Sequence, residues 1–93
     1  MEEVRKFSTR DIYLAATLVT LGFNQTGLDF MLEGDKNRPI GFFIFNDTPE
    51  LQESKSKYSQ GRLLIEPKIF VTNLKSLKSE ISNMYNNPHT NSK

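Results

Sequence analysis

The most constrained segment of the chain is residues 7–23, which read FSTRDIYLAATLVTLGF. Ser8 or Thr9 can cap the first turn of a helix here, and Asp11 suits the positive end of the helix dipole. Gly22 can take the left-handed conformation that commonly ends a helix. The apolar residues fall on two opposite sides of this helix, Ile12, Ala15, Ala16 and Val19 on one and Leu14, Leu18 and Leu21 on the other. Such a helix belongs in the middle of a fold or at a subunit contact.

The next segment predicts an antiparallel β-hairpin over residues 27–46. Residues 28–33 alternate in polarity, which is typical of a half-buried strand, and residues 34–39 are rich in turn formers. The inner side chains of this first strand are predicted to be Leu28, Phe30 and Leu32. Residues 40–45 are apolar on both faces. This pattern suits a central strand that is covered on both sides, or one that is covered on one side and used for contact on the other.

Two further helices are predicted after the hairpin. Asp47 or Thr48 can cap the first of them, and Pro49 suits its first position. Residues 63–65 form a short apolar run, either an edge strand or a buried connection. Pro67 then opens an amphipathic helix. Its predicted inner side chains are Phe70, Leu74, Leu77, Ile81 and either Met84 or Tyr85.

Together these elements predict an α+β fold, in which a small antiparallel sheet built on the central β-hairpin packs against three helices. An edge strand would come from residues 4–7 or from residues 63–65. Residues 1–85 are predicted to form a single α+β domain. Residues 86–93 have nothing to bury and are predicted to be a polar, flexible carboxy-terminal tail.

Residues that carry chemistry are scarce in this sequence. It has no Cys, and its single His, His89, lies in the polar tail, where we expect it to be solvated. Asp29, Glu33 and Asp35 come closest to a carboxylate cluster, but they match no metal-loop pattern and are expected to face solvent. We therefore predict that the chain is not an enzyme, and that it has no catalytic site, no metal, no cofactor and no small-molecule substrate.

Four motifs are distinctive along this chain. The opening motif is F-x-T-x-D-I-Y-L-A-A over residues 7–16, followed by Gly22-Phe23. The later motifs are F-x-F-x-D-T-P-E-L over residues 43–51, Y-x-x-G over residues 58–61 and P-x-x-F-x-x-x-L-x-x-L-K over residues 67–78. Together they resemble the motifs of a family of small bacterial and phage proteins that is known only as a domain of unknown function. The resemblance covers residues 7–82. It implies a stand-alone small domain, often carried by phages or mobile elements, and it implies no activity or ligand.

The net charge and the hydropathy of the sequence restrict the partners and the cellular location that we expect. Twelve basic and eleven acidic side chains give a formal net charge of +1, so no overall field draws the chain to nucleic acid or anionic lipid. No run of the sequence approaches the ~20 apolar residues that a membrane span needs. We expect a soluble protein with no membrane partner. Its expected location is the cytoplasm of the host cell or, if the protein is phage-encoded, the virion.

The first functional hypothesis is a non-enzymatic protein-binding or assembly module of phage or mobile-element type that forms a homo-oligomer. The two-sided helix and the two-sided strand offer more apolar surface than a domain of this size is expected to cover alone. The partner would be another protein or a second copy of the chain. The predicted interface residues are Leu14, Leu18, Leu21, Phe43 and Phe45.

The alternative is a small accessory protein that binds single-stranded nucleic acid. If Phe43 and Phe45 face outward, they can stack on bases while nearby basic side chains contact phosphates. The residues predicted for this site are Arg38, Phe43, Phe45, Arg62, Lys68 and Lys75. Because Phe42 points to the opposite face of the strand, one of the two aromatic sets must belong to the core.

Overall fold

Three strands and three helices make up the described part of the fold, in the order βαββαα. The structure, a computed structural model, describes the backbone of residues 5–36 and 38–86 and the side chains of residues 5–36 and 40–83. The strands are β1 (Lys6–Thr9), β2 (Gln25–Glu33) and β3 (Arg38–Asn46), and the helices are α1 (Ile12–Thr20), α2 (Pro49–Ser59) and α3 (Pro67–Asn86). The predicted α+β class, with a small antiparallel sheet and three helices, is confirmed.

The sheet has the strand order β1-β3-β2, so β3 lies in the centre, and both of its pairings are antiparallel. The hairpin predicted over residues 27–46 is present as β2 and β3, and its register places Leu28 opposite Phe43. Leu28 and Phe30 are partly buried, as expected for the inner side of β2. Leu32, nearer the turn, is 54% exposed, so the predicted inner line of this strand stops short of it.

An edge strand from the amino-terminal end is present as β1, although it covers Lys6–Thr9 rather than residues 4–7. The alternative edge strand at residues 63–65 is wrong, because this segment connects α2 to α3 without joining the sheet. Leu63 and Ile65 instead line a cleft against Thr17 of α1. Contact with the helical layer therefore takes the place of strand pairing for this apolar run.

Helix α1 is capped two residues after Thr9, the nearer of the two predicted caps. Asp11 is the N-cap, and its Oδ1 accepts hydrogen bonds from the backbone N–H of Tyr13 at 3.0 Å and of Leu14 at 3.2 Å. The predicted capping role of Ser8 or Thr9 is wrong, because both residues belong to β1 and stay extended to pair with β3. At the other end, Gly22 has φ +105°, the left-handed region expected there.

The core forms where both apolar sides of α1 meet other elements of the same chain. Helix α1 packs against α3, α2 and β1. Its two alanines, Ala15 and Ala16, are fully buried, as is Leu18. The buried apolar residues are Leu14, Ala15, Ala16, Leu18, Phe43, Phe45, Leu51 and Leu77. Of the two settings predicted for such a helix, the structure shows the middle of a fold.

Helix α3 covers the inner face of the hairpin. Its first turn is capped by Glu66, whose Oε1 accepts a hydrogen bond from the Ile69 N–H at 2.8 Å. The predicted inner residues Phe70, Leu74, Leu77 and Ile81 all belong to the core or pack against it. A Cβ at Gly41 of β3 would lie 3.0 Å from Ile81 Cγ1, so glycine permits this close approach. The side chains of Met84 and Tyr85 lie outside the described residues. Of the tail predicted over residues 86–93, Asn86 is the last residue of α3, and residues 87–93 lie outside the described part of the chain.

Candidate interaction surface

The sheet has an inner face toward the helices and an outer face on the opposite side. Paired residues in an antiparallel sheet point to the same face, so the register assigns each paired side chain to one of the two faces. Phe7 and Leu28 lie opposite Phe45 and Phe43, on the inner face, where both β3 phenylalanines are buried. By the same register, the outer face carries Lys6, Ser8, Gly27, Asp29, Met31, Glu33, Ile40, Phe42 and Ile44.

An apolar strip runs along the centre of this outer face. It consists of Ile40, Phe42 and Ile44, and we refer to these three residues as the β3 strip. All three are partly buried, and none packs against the core among the described residues. Beside the strip, Met31 of β2 is 52% exposed. An antiparallel sheet with one solvated face usually alternates apolar and polar side chains, so three apolar residues on the outer side of one strand are an exception to that pattern.

Charged side chains border the β3 strip, with opposite signs on its two sides. The acidic side lies on β2 and contains Asp29 and Glu33, whereas the basic side contains Lys6 of β1 and Arg10, the residue after β1, which its contact with Glu33 places on this face. Arg10 Nη2 lies 3.5 Å from Glu33 Oε1, and both side chains are more than half exposed. An ion pair with this exposure contributes little to stability, since water screens it. Its charges therefore remain available to a charged surface that approaches this face.

One edge of β3 is also open over half of its length. Strand β1 pairs only with residues 43–46, because the chain leaves the sheet at Arg10 to enter α1. Within the described residues, the 38–42 half of β3 therefore has a single strand neighbour, β2. No strand among the described residues pairs with the backbone groups on its other edge, and such an edge is a usual site for contact with another chain.

The interface residues predicted from the sequence are mostly in the core. Leu14 is 6% exposed, while Leu18, Phe43 and Phe45 are fully buried, so the prediction that these four form an interface is wrong. The physical reason is that α2, α3 and the sheet enclose α1 on both apolar sides. Leu21, the fifth predicted residue, is 37% exposed at the end of α1.

The nucleic-acid site predicted from the sequence is not assembled in this structure. Phe43 and Phe45 cannot stack on bases because they face the helices, and the stacking role predicted for them is wrong. The basic residues Arg62, Lys68 and Lys75 are exposed, but they belong to α3 and the segment before it, on the helical side of the sheet. The side chain of Arg38 lies outside the described residues.

The described residues contain no group of three or more His, Cys, Asp or Glu side chains that could hold a metal ion. Every buried side-chain nitrogen or oxygen among them has a hydrogen-bond partner. His89 lies outside the described part of the chain. No helix in that part is long and apolar enough to cross a bilayer.

An apolar cleft of about 250 Å³ lies between α1, α2 and the segment that leads into α3. Its lining includes Thr17 and Tyr58, whose hydroxyls already have partners. Thr17 Oγ1 donates to the Tyr13 carbonyl at 2.8 Å, and the Tyr58 hydroxyl donates to Asp11 Oδ2 at 3.4 Å. Ligand sites usually add a few convergent polar groups to an apolar wall. Because these two hydroxyls are engaged within the fold, the outer face of the sheet is the stronger candidate site.

Tyr58→Phe is expected to reduce the loss of stability at alkaline pH. Burial raises the pKa of the Tyr58 hydroxyl above its ordinary value of 10.0, and the negative charge of Asp11 raises this pKa further. Because the folded state holds the proton more tightly, this contribution to stability is complete below a pH of about 10 and is lost as the pH rises through the raised pKa. Urea unfolding of both proteins between about pH 8 and pH 12 checks this. A wild-type-minus-variant difference that stays constant over this range would contradict it.

Comparison with known proteins identifies a family for this chain. No curated protein and no solved structure matches the chain. One family model, described as a domain of unknown function (DUF5659), matches residues 4–83. This match spans all six strands and helices except the last turn of α3 and agrees with the resemblance carried by the motifs at residues 7–16 and 43–51. The chain belongs to this family of domains of unknown function.

Proposed function

We propose that this chain is a non-enzymatic binding and assembly module that associates with a second copy of itself through the outer face of the sheet. The observation that carries the proposal is the β3 strip, which lies uncovered by the described helices. Contiguous apolar surface that the fold leaves uncovered commonly marks a protein-binding site. The phage or mobile-element origin and the cytoplasmic location stay predictions.

The proposed interface differs from the one predicted from the sequence. It uses the β3 strip, whose residues alternate with the predicted Phe43 and Phe45 along the same strand. The prediction of surplus apolar surface depended on α1 and β3 together. Helix α1 is enclosed, so only β3 retains apolar residues on a second face. Phe42 is the largest of these residues and lies in the middle of the β3 strip, the position from which an aromatic side chain contributes most to an interface.

The size of the face sets the expected strength of association. With three strands and a central strand of nine residues, a spacing of ~4.8 Å between strands and ~3.3 Å per residue gives a face of roughly 14 by 30 Å. This corresponds to roughly 400 Å² for each copy, or about 800 Å² in total, which is below the ~1,200 Å² at which stable, specific interfaces begin and is typical of weak, transient contacts. We therefore expect a weak, reversible dimer that forms at high protein concentration.

Phe42→Ala is expected to abolish this association while leaving the fold intact. Sedimentation equilibrium from about 10 µM to about 1 mM should show the wild-type protein shifting from monomer to dimer, because a weak dimer follows mass action. The variant should remain monomeric over the same range. Circular dichroism and thermal unfolding at the lowest concentration establish that it is folded.

Leu64→Ala is the matched control, since Leu64 is 94% exposed and lies before α3 rather than on the sheet. We expect this variant to dimerise like the wild-type protein. A wild-type chain that remains monomeric throughout, or a Phe42→Ala variant that dimerises normally, would overturn the proposal. Salt-sensitive binding of a single-stranded oligonucleotide that is lost in Phe42→Ala would favour the nucleic-acid hypothesis instead.

A further inference from the structure

The distribution of charge on the outer face restricts how two copies can meet. Lys6 and Arg10 make the β1 side basic, and Asp29 and Glu33 make the β2 side acidic, with the uncharged β3 strip between them. The face is therefore polarised across the strands. A surface with this pattern is complementary to itself only in certain orientations.

When the strands of two copies are aligned, two closed arrangements bring a pair of outer faces together, because the two-fold axis lies in the plane between the sheets and runs either across or along the strands. If the axis is perpendicular to the strands, β1 lies over β1 and β2 lies over β2. Like charges then face each other on both sides of the interface, which is unfavourable. If the axis is parallel to β3, β1 of each copy lies over β2 of the other. Because this axis keeps each residue at its own level along the strands, Arg10, which follows Thr9, and Asp29, which lies opposite Phe42, come together on both sides of the interface. Opposite charges therefore meet at that level, and the two β3 strips pack on each other in the middle.

We propose that a second copy of this chain covers the outer face with the two-fold axis of the dimer parallel to β3, so that the basic side of each copy lies over the acidic side of the other. This inference rests on the proposed function. The distance of 3.5 Å between Arg10 Nη2 and Glu33 Oε1 shows that these two side chains can reach across the β3 strip. In the dimer, Arg10 and Glu33 leave each other and contact acidic and basic side chains of the second copy. The two sheets lie face to face with aligned strands, about 10 Å apart.

Charge reversal tests this arrangement. Lys6→Glu with Arg10→Glu makes both sides of the face acidic, and Asp29→Lys with Glu33→Lys makes both sides basic. In the proposed dimer each of these double variants places like charges opposite each other, so its dimerisation constant should weaken by at least about tenfold at low salt. The quadruple variant, which carries all four reversals, restores opposite charges and should dimerise about as well as the wild-type protein.

The control for net charge is Lys68→Glu with Lys75→Glu, because it alters two exposed lysines of α3 and leaves the outer face unchanged. It has the same net charge as the acidic double variant and should retain dimerisation. If both face variants dimerise like the wild-type protein, or if the quadruple variant does not recover, the arrangement is wrong. The proposed function survives that outcome provided that Phe42→Ala still abolishes the dimer. The proposed function is wrong if the wild-type chain stays monomeric or if Phe42→Ala dimerises normally, whatever the result with the charge variants.

Discussion

We expect Phe43→Ala to destabilise the domain by about 3 to 5 kcal/mol, because it removes a fully buried aromatic ring and leaves a cavity between the sheet and α1. The total stability of a domain of this length is about 5 to 14 kcal/mol, so this loss is a large fraction of it. The thermal midpoint should fall by at least about 12 °C. Urea unfolding at a concentration below that of self-association measures the change, with little change in the slope m.

Phe42→Ala serves here as the control on the adjacent residue of the same strand. Phe42 is only partly buried and points to the outer face, so we expect a loss of no more than about 1.5 kcal/mol. The two variants remove the same ring from opposite faces of β3. Comparable losses in the two variants would mean that the outer face is covered as tightly as the inner one, which would contradict the uncovered β3 strip.

Leu18→Ala is expected to cost about 2 to 5 kcal/mol, since Leu18 is fully buried at the centre of α1. Helix α1 packs against α2, α3 and β1, so a cavity at this position is bounded by several elements and cannot easily close. Thermal unfolding followed by far-ultraviolet circular dichroism measures the effect. The variant should unfold in one cooperative transition, as expected for a small single domain.

Leu21→Ala is the corresponding control one helical turn away. Leu21 is 37% exposed at the carboxyl end of α1, and we expect its truncation to cost less than about 1 kcal/mol. Sedimentation of Leu21→Ala should show the same dimerisation as the wild-type protein. Loss of the dimer in this variant would indicate that the interface lies at the end of α1 and not on the outer face of the sheet.

The sequence contained enough information to predict which face of β3 is buried in the core. Leu28, Phe30 and Leu32 were predicted as the inner residues of β2. If the hairpin pairs Glu33 with Arg38, as the structure shows, then Leu28 lies opposite Phe43 and the inner set of β3 follows. The prediction of an outward Phe43 did not apply this register. The residues of the β3 strip were missed for the same reason, although their alternation with Phe43 and Phe45 was visible.

Other features were not available from local patterns. The apolar run at 63–65 is compatible with a strand, and its position against Thr17 depends on where α1, α2 and α3 meet. The role of Asp11 as N-cap, in place of Ser8 or Thr9, depends on how far β1 extends along β3 before the chain turns into α1. The charge pattern of the outer face likewise joins residues from β1 and β2, which are separated by α1 in the chain.

Local chemistry in the sequence was sufficient to predict the three helices and the two strands of the hairpin, but not which segment forms the edge strand. Proline at 49 and 67, glycine at 22 and the apolar periodicities act within a few residues, so their effects can be read without knowledge of the fold. The tertiary structure determined which of two equally apolar faces is buried. Other elements of the chain pack against both apolar sides of helix α1. In contrast, all the described helices pack on the same face of β3. That difference depends on contacts between distant parts of the chain, and it leaves Phe42 rather than Phe43 available to a partner.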